Sequence, residues 1–451
     1  MISGVSRGVA RRLAFATPFV LVSLVSGCDP EGYPADLKYP TRTDVIVLTQ
    51  NPDEVYQPEP PGHLDVSIGS YNKLKEDGKK VEALDPTQLT GKDREDVGAS
   101  LEKHFGTPAK PTVKIDASGD DDVDNDLKDA FSAQELQLDD KTLAAGSVLY
   151  RRHCQHCHGV SGNGRGPTAP WLHPHPRDYR KGQFKFVSTG KRAPSRNDLY
   201  RVLKNGVDYT SMPSFALLTE DELDHLISYV IHLSLRGQAE EETMVAALKK
   251  MLQNADGDTI TADAFLQDKV RDMVRRADGW AASNKAVLTP SVAPSEDKNA
   301  RESEIEKGYK FFIGDDAGCL KCHKDFGRQS LYRYDAWGTQ VQPRNLTAGA
   351  YRGGRRPIDF FWRIRNGIKP SAMPQIDELL SVEEKKQIAE LESKGEAPKA
   401  VTKRKAELTE ANIWRLVAFI QAVPYPNMLP ETVRKGVYPM PVPQTASMIG
   451  D

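Results

Sequence analysis

The sequence contains two pentapeptides of the form C-x-x-C-H, Cys154-Gln155-His156-Cys157-His158 and Cys319-Leu320-Lys321-Cys322-His323. In each, one short turn can present two thiols to the vinyl groups of a haem and the following imidazole to its iron. A structural zinc site needs four ligands in a closed set, and a thioredoxin-like pair needs no following histidine. The duplicated motif therefore predicts two covalently bound haem c groups. The predicted attachment residues are Cys154, Cys157, Cys319 and Cys322, and the predicted iron ligands are His158 and His323.

The fifth cysteine, Cys28, follows a segment typical of protein export. Three arginines lie between positions 7 and 12, and the apolar run Leu13–Val25 after them is short for a membrane span. The small residues before Cys28 resemble the lipobox of bacterial lipoproteins, in which the cysteine is lipidated. We therefore expect residues 1–27 to be a signal peptide and the chain to be lipid-anchored on the periplasmic side of a bacterial membrane. An ordinary signal peptide and a single-pass anchor are the alternatives.

Length and charge limit the remaining options. A chain of 451 residues is too long for one small cytochrome domain, and 30 prolines indicate linkers or extended stretches. The net charge of -2 indicates no class of partner by itself. If four cysteines hold haem and one holds lipid, none of the five is left for a disulfide.

An internal repeat surrounds the two motifs. Each copy has a glycine and then an aromatic residue one turn later before the motif, and an Asn-Gly-aliphatic turn five residues ahead of a Met-Pro pair after it. Each copy closes with an amphipathic helix, for which Thr219 and Thr409 are the predicted N-caps. The matching elements are Gly146 and Tyr150 with Gly308 and Phe312, Asn205-Gly206-Val207 with Asn366-Gly367-Ile368, and Met212-Pro213 with Met373-Pro374.

The order of these elements resembles the class I cytochrome c fold over residues 143–235 and 303–423. The resemblance implies a mostly α fold with two tandem cytochrome c domains, in which the first and last helix of each domain cross at the glycine. Tyr150 would then pack on Tyr229, and Phe312 on Phe419. The predicted layout is a haem-free, irregular N-terminal segment (28–140), domain 1 (141–236), a charged helical linker (237–299), domain 2 (300–428, with an insertion near 375–407) and a C-terminal tail (429–451).

The resemblance also implies the second ligand of each iron. In this family a methionine on a loop after the motif binds the iron, which here gives Met212 and Met373, and thioether ligation raises the reduction potential. His173 and His175 lie in a proline-rich loop and are rival ligands for the first haem. The family fixes the motif histidine through a proline carbonyl, for which Pro167 or Pro170 would serve His158.

Basic residues are concentrated after each motif. Arg177 and Arg344 occupy equivalent positions and are candidates for haem propionate contacts, because guanidinium binds carboxylate bidentately. The remaining basic residues predict redox partners with acidic docking surfaces, and we do not expect nucleic acid as a partner. These residues are Arg180, Lys181, Lys185, Lys191, Arg192, Arg196, Arg201 and Lys204 in the first copy, and Arg352, Arg355, Arg356, Arg363, Arg365 and Lys369 in the second.

Taken together, these patterns predict a lipid-anchored dihaem cytochrome c that transfers single electrons along an exported respiratory chain and is not an enzyme. A dihaem peroxidase or another haem enzyme is one alternative, because His173 or His175 would give the bis-histidine haem that such peroxidases use. A fixed cytochrome subunit of a larger complex is the other, with residues 28–140 as its docking arm.

Overall fold

The fold is given by a computed structural model, which is mainly helical. It describes residues 32–49, 81–114, 136–190, 193–254, 256–275, 283, 285–297, 300–334, 340–369, 371 and 373–439. The predicted signal peptide and the lipidation site Cys28 lie outside these residues.

The described part of the chain contains helices of very different lengths and three two-stranded antiparallel sheets. The helices are α1 (Gly91–Phe105), α2 (Asp140–His153), α3 (Gln155–His158), α4 (Arg196–Asn205), α5 (Glu220–Leu248), α6 (Ala262–Arg275), α7 (Arg301–Ile313), α8 (Cys319–Cys322), α9 (Pro357–Asn366), α10 (Val382–Ser393), α11 (Pro398–Ala422) and α12 (Glu431–Val437). The strand pairs are β1 (Ile46–Thr49) with β2 (Val81–Leu84), β3 (Gly106–Thr107) with β4 (Lys110–Pro111), and β5 (Arg333–Tyr334) with β6 (Gln340–Val341).

In the first haem region, which we define as residues 136–248, helix α2 crosses helix α5 at a glycine. An ideal Cβ at Gly146 would lie 2.2 Å from the carbonyl oxygen of His225, so only glycine allows this approach. One turn later the rings of Tyr150 and Tyr229 pack with their centroids 5.1 Å apart, and both residues are fully buried. The predicted crossing and its aromatic pair are confirmed.

The second haem region, residues 300–439, repeats this crossing with helices α7 and α11. An ideal Cβ at Gly308 would lie 2.0 Å from the carbonyl oxygen of Arg415. The rings of Phe312 and Phe419 are 5.3 Å apart with an interplanar angle of 56°, the same angle as in the first region. The chain thus builds the same helix contact twice, each time within its own hydrophobic core.

The N-caps of the closing helices differ from each other. Thr219 caps α5 in a capping box with Glu222, as predicted. Thr409 does not cap α11, because that helix begins at Pro398, where a proline in the first turn is well tolerated. Thr409 instead lies buried in mid-helix, and its hydroxyl accepts a hydrogen bond from the backbone N–H of Leu379 at 3.2 Å.

Two predicted segments have more structure than the sequence suggested. The predicted boundary at residue 236 lies inside α5, which continues to Leu248 because Leu235, Ala239 and Met244 are buried there. The described part of the N-terminal segment is not irregular, since it forms β1, β2 and α1 and contributes Leu101 and Phe105 to the first core. This segment and α6 cover the extended end of α5.

A buried ion-pair network joins the N-terminal segment to the first haem region. Arg180, only 3% exposed, binds Asp44 through two N–H···O contacts of 2.8 and 3.0 Å and binds Asp178 at 2.7 Å. Arg42 binds the same Asp44 carboxylate at 2.9 Å. Because breaking one partner of such a network leaves a buried charge uncompensated, the N-terminal segment is held firmly in place.

Candidate haem sites

His158 is held by a backbone carbonyl on the first haem region. It is the last residue of α3 and is 7% exposed, and its Nδ1 lies 3.0 Å from the carbonyl oxygen of Arg177. Burial lowers the pKa of His158 to about 4, so the imidazole is neutral at physiological pH. With Nδ1–H donating to the carbonyl, Nε2 keeps its lone pair for a metal.

His323 has the same partner in the second region. Its Nδ1 lies 3.1 Å from the carbonyl oxygen of Arg344, and partial burial lowers its pKa. Arg177 and Arg344 are equivalent in the repeat, so the same backbone group orients both imidazoles. The expected proline carbonyl was therefore wrong for His158, and the Pro-Arg pair repeated at 176–177 and 343–344 was the signal that marked the actual acceptor.

The two methionine loops also share their hydrogen bonds. The N–H of Val207 donates to the carbonyl of Met212 at 3.1 Å, and the N–H of Ile368 donates to that of Met373 at 3.0 Å. A hydroxyl closes each turn, since Thr210 donates to the Val207 carbonyl at 2.7 Å and Ser371 to the Ile368 carbonyl at 2.5 Å. Both methionine side chains pack, partly buried, against the core of their region.

A cavity of about 260 Å³ brings the predicted residues of the first site together. Cys154, Cys157, His158 and Met212 all line it, so the two thiols, an imidazole and a thioether face one space. The rest of the wall is largely apolar, as a porphyrin ring requires. The apolar lining includes Leu199, Val202, Leu203, Val207, Phe215, Ile227 and Val230. This set of donors and this lining fit a covalently attached haem.

Zinc fits the same residues poorly. A structural zinc site needs four ligands in a closed set, and neither C-x-x-C-H motif supplies a fourth ligand. Across the residues that the structure describes, no group of three or more His, Cys, Asp or Glu is arranged to hold a metal ion.

The predicted propionate residues lie close to the imidazoles. Arg177 is one of the residues that line the first cavity. In the second region the Nε of Arg344 is buried and has no hydrogen-bond acceptor among the described residues. A buried guanidinium N–H without an acceptor is costly, and a haem carboxylate would supply one. Propionate binding by both arginines stays a prediction.

The other histidines separate into distinct environments. His175 lines the first cavity, whereas the ring of His173 packs edge-on to Tyr332 with centroids 6.4 Å apart. His232 is fully buried in α5, and its Nε2 lies 3.0 Å from the carbonyl oxygens of both Phe105 and Thr112. Of the two rival ligands, only His175 is therefore in the cavity wall.

Much of the predicted basic docking face is used inside the molecule. Arg180 is buried in the ion-pair network with Asp44, and Arg363 is 9% exposed. These charges are held by internal acids or by burial and are not available to a partner. Arg196 and Arg201 form further, partly buried pairs, with Asp224 and with Asp198 and Asp359. The pairs of Lys204 with Glu220 and of Arg356 with Asp359 lie at the surface, so Lys204 stays partly exposed and Arg356 exposed.

Comparisons with known proteins bear on the first region. Residues 141–230 match the family model described as cytochrome c oxidase, cbb3-type, subunit III. No curated protein matches the chain. A solved chain from the reducing HAO-like protein complex of Kuenenia stuttgartiensis is 20% identical, with a TM-score of 0.38, over 62% of this chain and 95% of that chain.

Among the described residues, no helix combines the length and the apolar character that crossing a bilayer requires.

The family match and the geometry of the first site agree on the chemistry of that region. We conclude that the chain carries a c-type cytochrome domain with covalently bound haem c.

Proposed function

We propose that this chain is a lipid-anchored dihaem cytochrome c that transfers single electrons between redox proteins outside the cytoplasm. The observation that carries the proposal is the duplication of the site. His158 and His323 meet equivalent carbonyls at 3.0 and 3.1 Å, and Met212 and Met373 lie on loops closed by the same hydrogen bonds. We therefore assign one haem c to each region and a class I cytochrome c fold to both.

The residues around each site suit a carrier. When bound, each haem supplies an iron that alternates between the ferrous and ferric states. The carbonyl contacts hold His158 and His323 in one orientation, and the closed loops hold Met212 and Met373, so little of the protein needs to move as the charge changes. The wall of the first cavity is largely apolar, which suits a porphyrin ring.

The anchor is proposed from Cys28 and the segment before it. Growth with a labelled fatty acid, followed by membrane fractionation, tests it. We expect label on the wild-type chain and none on Cys28→Ser, which should leave the membrane fraction. Label on neither protein would contradict lipidation while leaving the haem proposal intact.

The partners are proposed by class. A membrane complex that oxidises quinol is a fitting donor, and a terminal oxidase is a fitting acceptor. The family description names an oxidase subunit, which supports an oxidase as the acceptor or as a complex that holds this chain permanently. That these partners have acidic docking surfaces stays a prediction. This chain exposes fewer basic residues to such surfaces than its sequence indicated. Co-purification in mild detergent that survives high salt would favour the permanent complex.

A redox titration of the purified chain tests the carrier function. We expect two reversible one-electron steps per chain and negligible turnover of hydrogen peroxide. His175, which lines the first cavity, motivates the rival peroxidase function, because a methionine displaced by histidine would give a haem of lower potential. Rapid peroxide turnover that is abolished by His175→Ala would replace the carrier proposal with an enzyme.

A further inference from the structure

A loop of the second haem region reaches the cavity of the first. Its residues 351–354 follow the segment that carries the Arg344 carbonyl, and Arg352 is one of the residues that line the first cavity. Gly353 adopts φ +77°, and an ideal Cβ there would lie 2.3 Å from the ring of Phe186, which also lines that cavity. This close approach requires glycine and places the neighbouring Arg352 at the boundary of the two regions.

Other contacts hold the same boundary together. Arg201 of α4 binds Asp359 of α9 at 3.2 Å, and its guanidinium stacks over Trp362 at 4.7 Å from the ring centroid. The Nδ2 of Asn366 donates to the carbonyl of Val187 at 3.3 Å. The position of Arg352 relative to the first cavity is thus fixed by several independent contacts.

None of the described acidic groups pairs with the positive charges at this point. Within the described residues, neither Arg344 nor Arg352 forms an ion pair, and the Nε of each is buried without a hydrogen-bond acceptor. The Nη2 of Arg352 donates only to the carbonyl of Tyr209, at 3.3 Å. Burial lowers the pKa of Arg352 to about 10, and the positive charge of Arg344 contributes to the shift. The neighbouring Arg355 and Arg356 differ, because they lie near Asp208 and Asp359.

Two neighbouring, partly buried guanidinium groups with buried Nε atoms and no ion pair among the described residues are stabilised by an anion. A planar carboxylate is the group that a guanidinium fork binds best, and a haem carries two propionate carboxylates. Arg352 lines the first cavity, while Arg344 supplies the carbonyl that orients His323 of the second site. The pair therefore lies between the two candidate haem sites.

We propose that Arg352 binds a propionate of the haem in the first cavity, with Arg344 as the adjacent cation, so that the second region completes the first haem site. This inference rests on the proposed dihaem function. It also gives the two haems a shared charged contact, through which the redox state of one affects the potential of the other. A positive charge beside a haem disfavours the ferric state and so raises the reduction potential.

The test is a spectroelectrochemical titration of the full-length holoprotein in six forms: wild type, Arg352→Gln, Arg352→Lys, Arg344→Gln, Met212→Leu and the control Arg355→Gln. Arg355 is on the same loop but is exposed and contacts the hydroxyl of Tyr209 at 2.6 Å. We expect Arg352→Gln to raise the ferric-to-ferrous ratio of the first haem about tenfold at a fixed potential, which is a downward shift of about 59 mV. Arg352→Lys should shift less, and Arg355→Gln should not shift measurably. Met212→Leu shows which potential belongs to the first haem, because loss of the proposed thioether ligand should lower that potential.

Three outcomes overturn the inference. If the wild-type chain binds only one haem, the proposed dihaem function is wrong, and this contact between the two sites is wrong with it. Two haems with the same potentials in Arg352→Gln as in wild type overturn the contact alone. If Arg352→Gln loses its helical circular dichroism, the other two variants replace it in the test. Unchanged potentials in both Arg352→Lys and Arg344→Gln would then overturn the contact.

Discussion

The two haem regions share three local contacts and have different surroundings. In both, a glycine lets two helices touch, a carbonyl orients the motif histidine, and a closed turn carries the methionine. The first region is covered by the N-terminal segment and α6, whereas the second has α10 inserted before its closing helix and α12 packed after it. The site and its covering are therefore separable parts of the molecule.

The covering changes how deeply each site is buried. His158 is 7% exposed, whereas His323 is only half-buried. A less polar, drier surrounding disfavours the additional charge of ferric iron, so burial is one of the means by which a protein sets haem potential. We therefore expect the first haem to have the higher potential of the two, and the following experiments test how far the regions act independently.

Removing the thiols of one region should have the largest effect. Cys154→Ser with Cys157→Ser should leave one haem per chain, and Cys319→Ser with Cys322→Ser should leave the other, because each pair attaches its own haem. Intact-protein mass and the pyridine haemochrome assay count the haems. Loss of both haems in either double variant would show that the two regions do not load independently.

Enlarging a crossing glycine should disrupt one region at a time. In Gly146→Val or Gly308→Val the new Cβ would meet a carbonyl oxygen at 2.2 or 2.0 Å, so the helices must separate. Overpacking of this kind costs about 3 kcal/mol of the free energy of unfolding. Urea denaturation followed by circular dichroism measures the loss. Gly91→Ala is the control, since an ideal Cβ there meets nothing within 4 Å.

Acid should destabilise the first region more than the second. Burial lowers the pKa of His232 from 6.5 to about 4, although the carbonyls of Phe105 and Thr112 raise it slightly. Between these two values the unfolded chain binds more protons than the folded one, so stability falls as the pH falls through that window, by roughly 3 kcal/mol in all. His232 lies three residues after Tyr229. The equivalent position in the second region, three residues after Phe419, is Ala422, which does not titrate.

Urea denaturation at several pH values checks this asymmetry. His232→Gln keeps an N–H donor for the two carbonyls and does not titrate, so its stability should depend less on pH between 6.5 and 4 than that of the wild type. Equal pH dependence in the two proteins would show that His232 is not the group responsible.

The smallest effect is expected from the two threonines. Thr219→Ala removes the N-cap of α5 and should cost about 1 kcal/mol of stability. Thr409→Ala leaves the buried N–H of Leu379 without its acceptor, at a cost of about 1 to 3 kcal/mol. Thermal unfolding compares them. A Thr409→Ala variant as stable as the wild type would show that this hydroxyl does not join the insertion to α11.

Local patterns in the sequence predicted the parts of the fold that local contacts build. Gly146 and Tyr150 lie one helical turn apart, and the resemblance to the class I cytochrome c fold implied their contact with α5. The haem motif, the Met-Pro loops and the Thr219 capping box are likewise continuous stretches of sequence. Each of these predictions depended on residue types at fixed short distances.

The parts that were missed depend on contacts between distant residues or on the backbone. The acceptor for His158 is a carbonyl, which every residue has, so only the place of Arg177 in the repeated Pro-Arg pair, and not a property of its side chain, marks it. Arg180 looked like a surface charge because Asp44, its buried partner, is far away in the sequence. The contact of Arg352 with the first cavity requires knowing how the two regions pack, which no local pattern encodes.

The central claim is that both irons are bound by histidine and methionine, and the weak far-red absorption band from sulfur to ferric iron tests it most directly. The band should have the intensity of two such haems in the wild type, and half of it in Met212→Leu or in Met373→Leu. An intensity of one haem in the wild type, unchanged in Met212→Leu, would contradict the claim and give the first iron a different ligand.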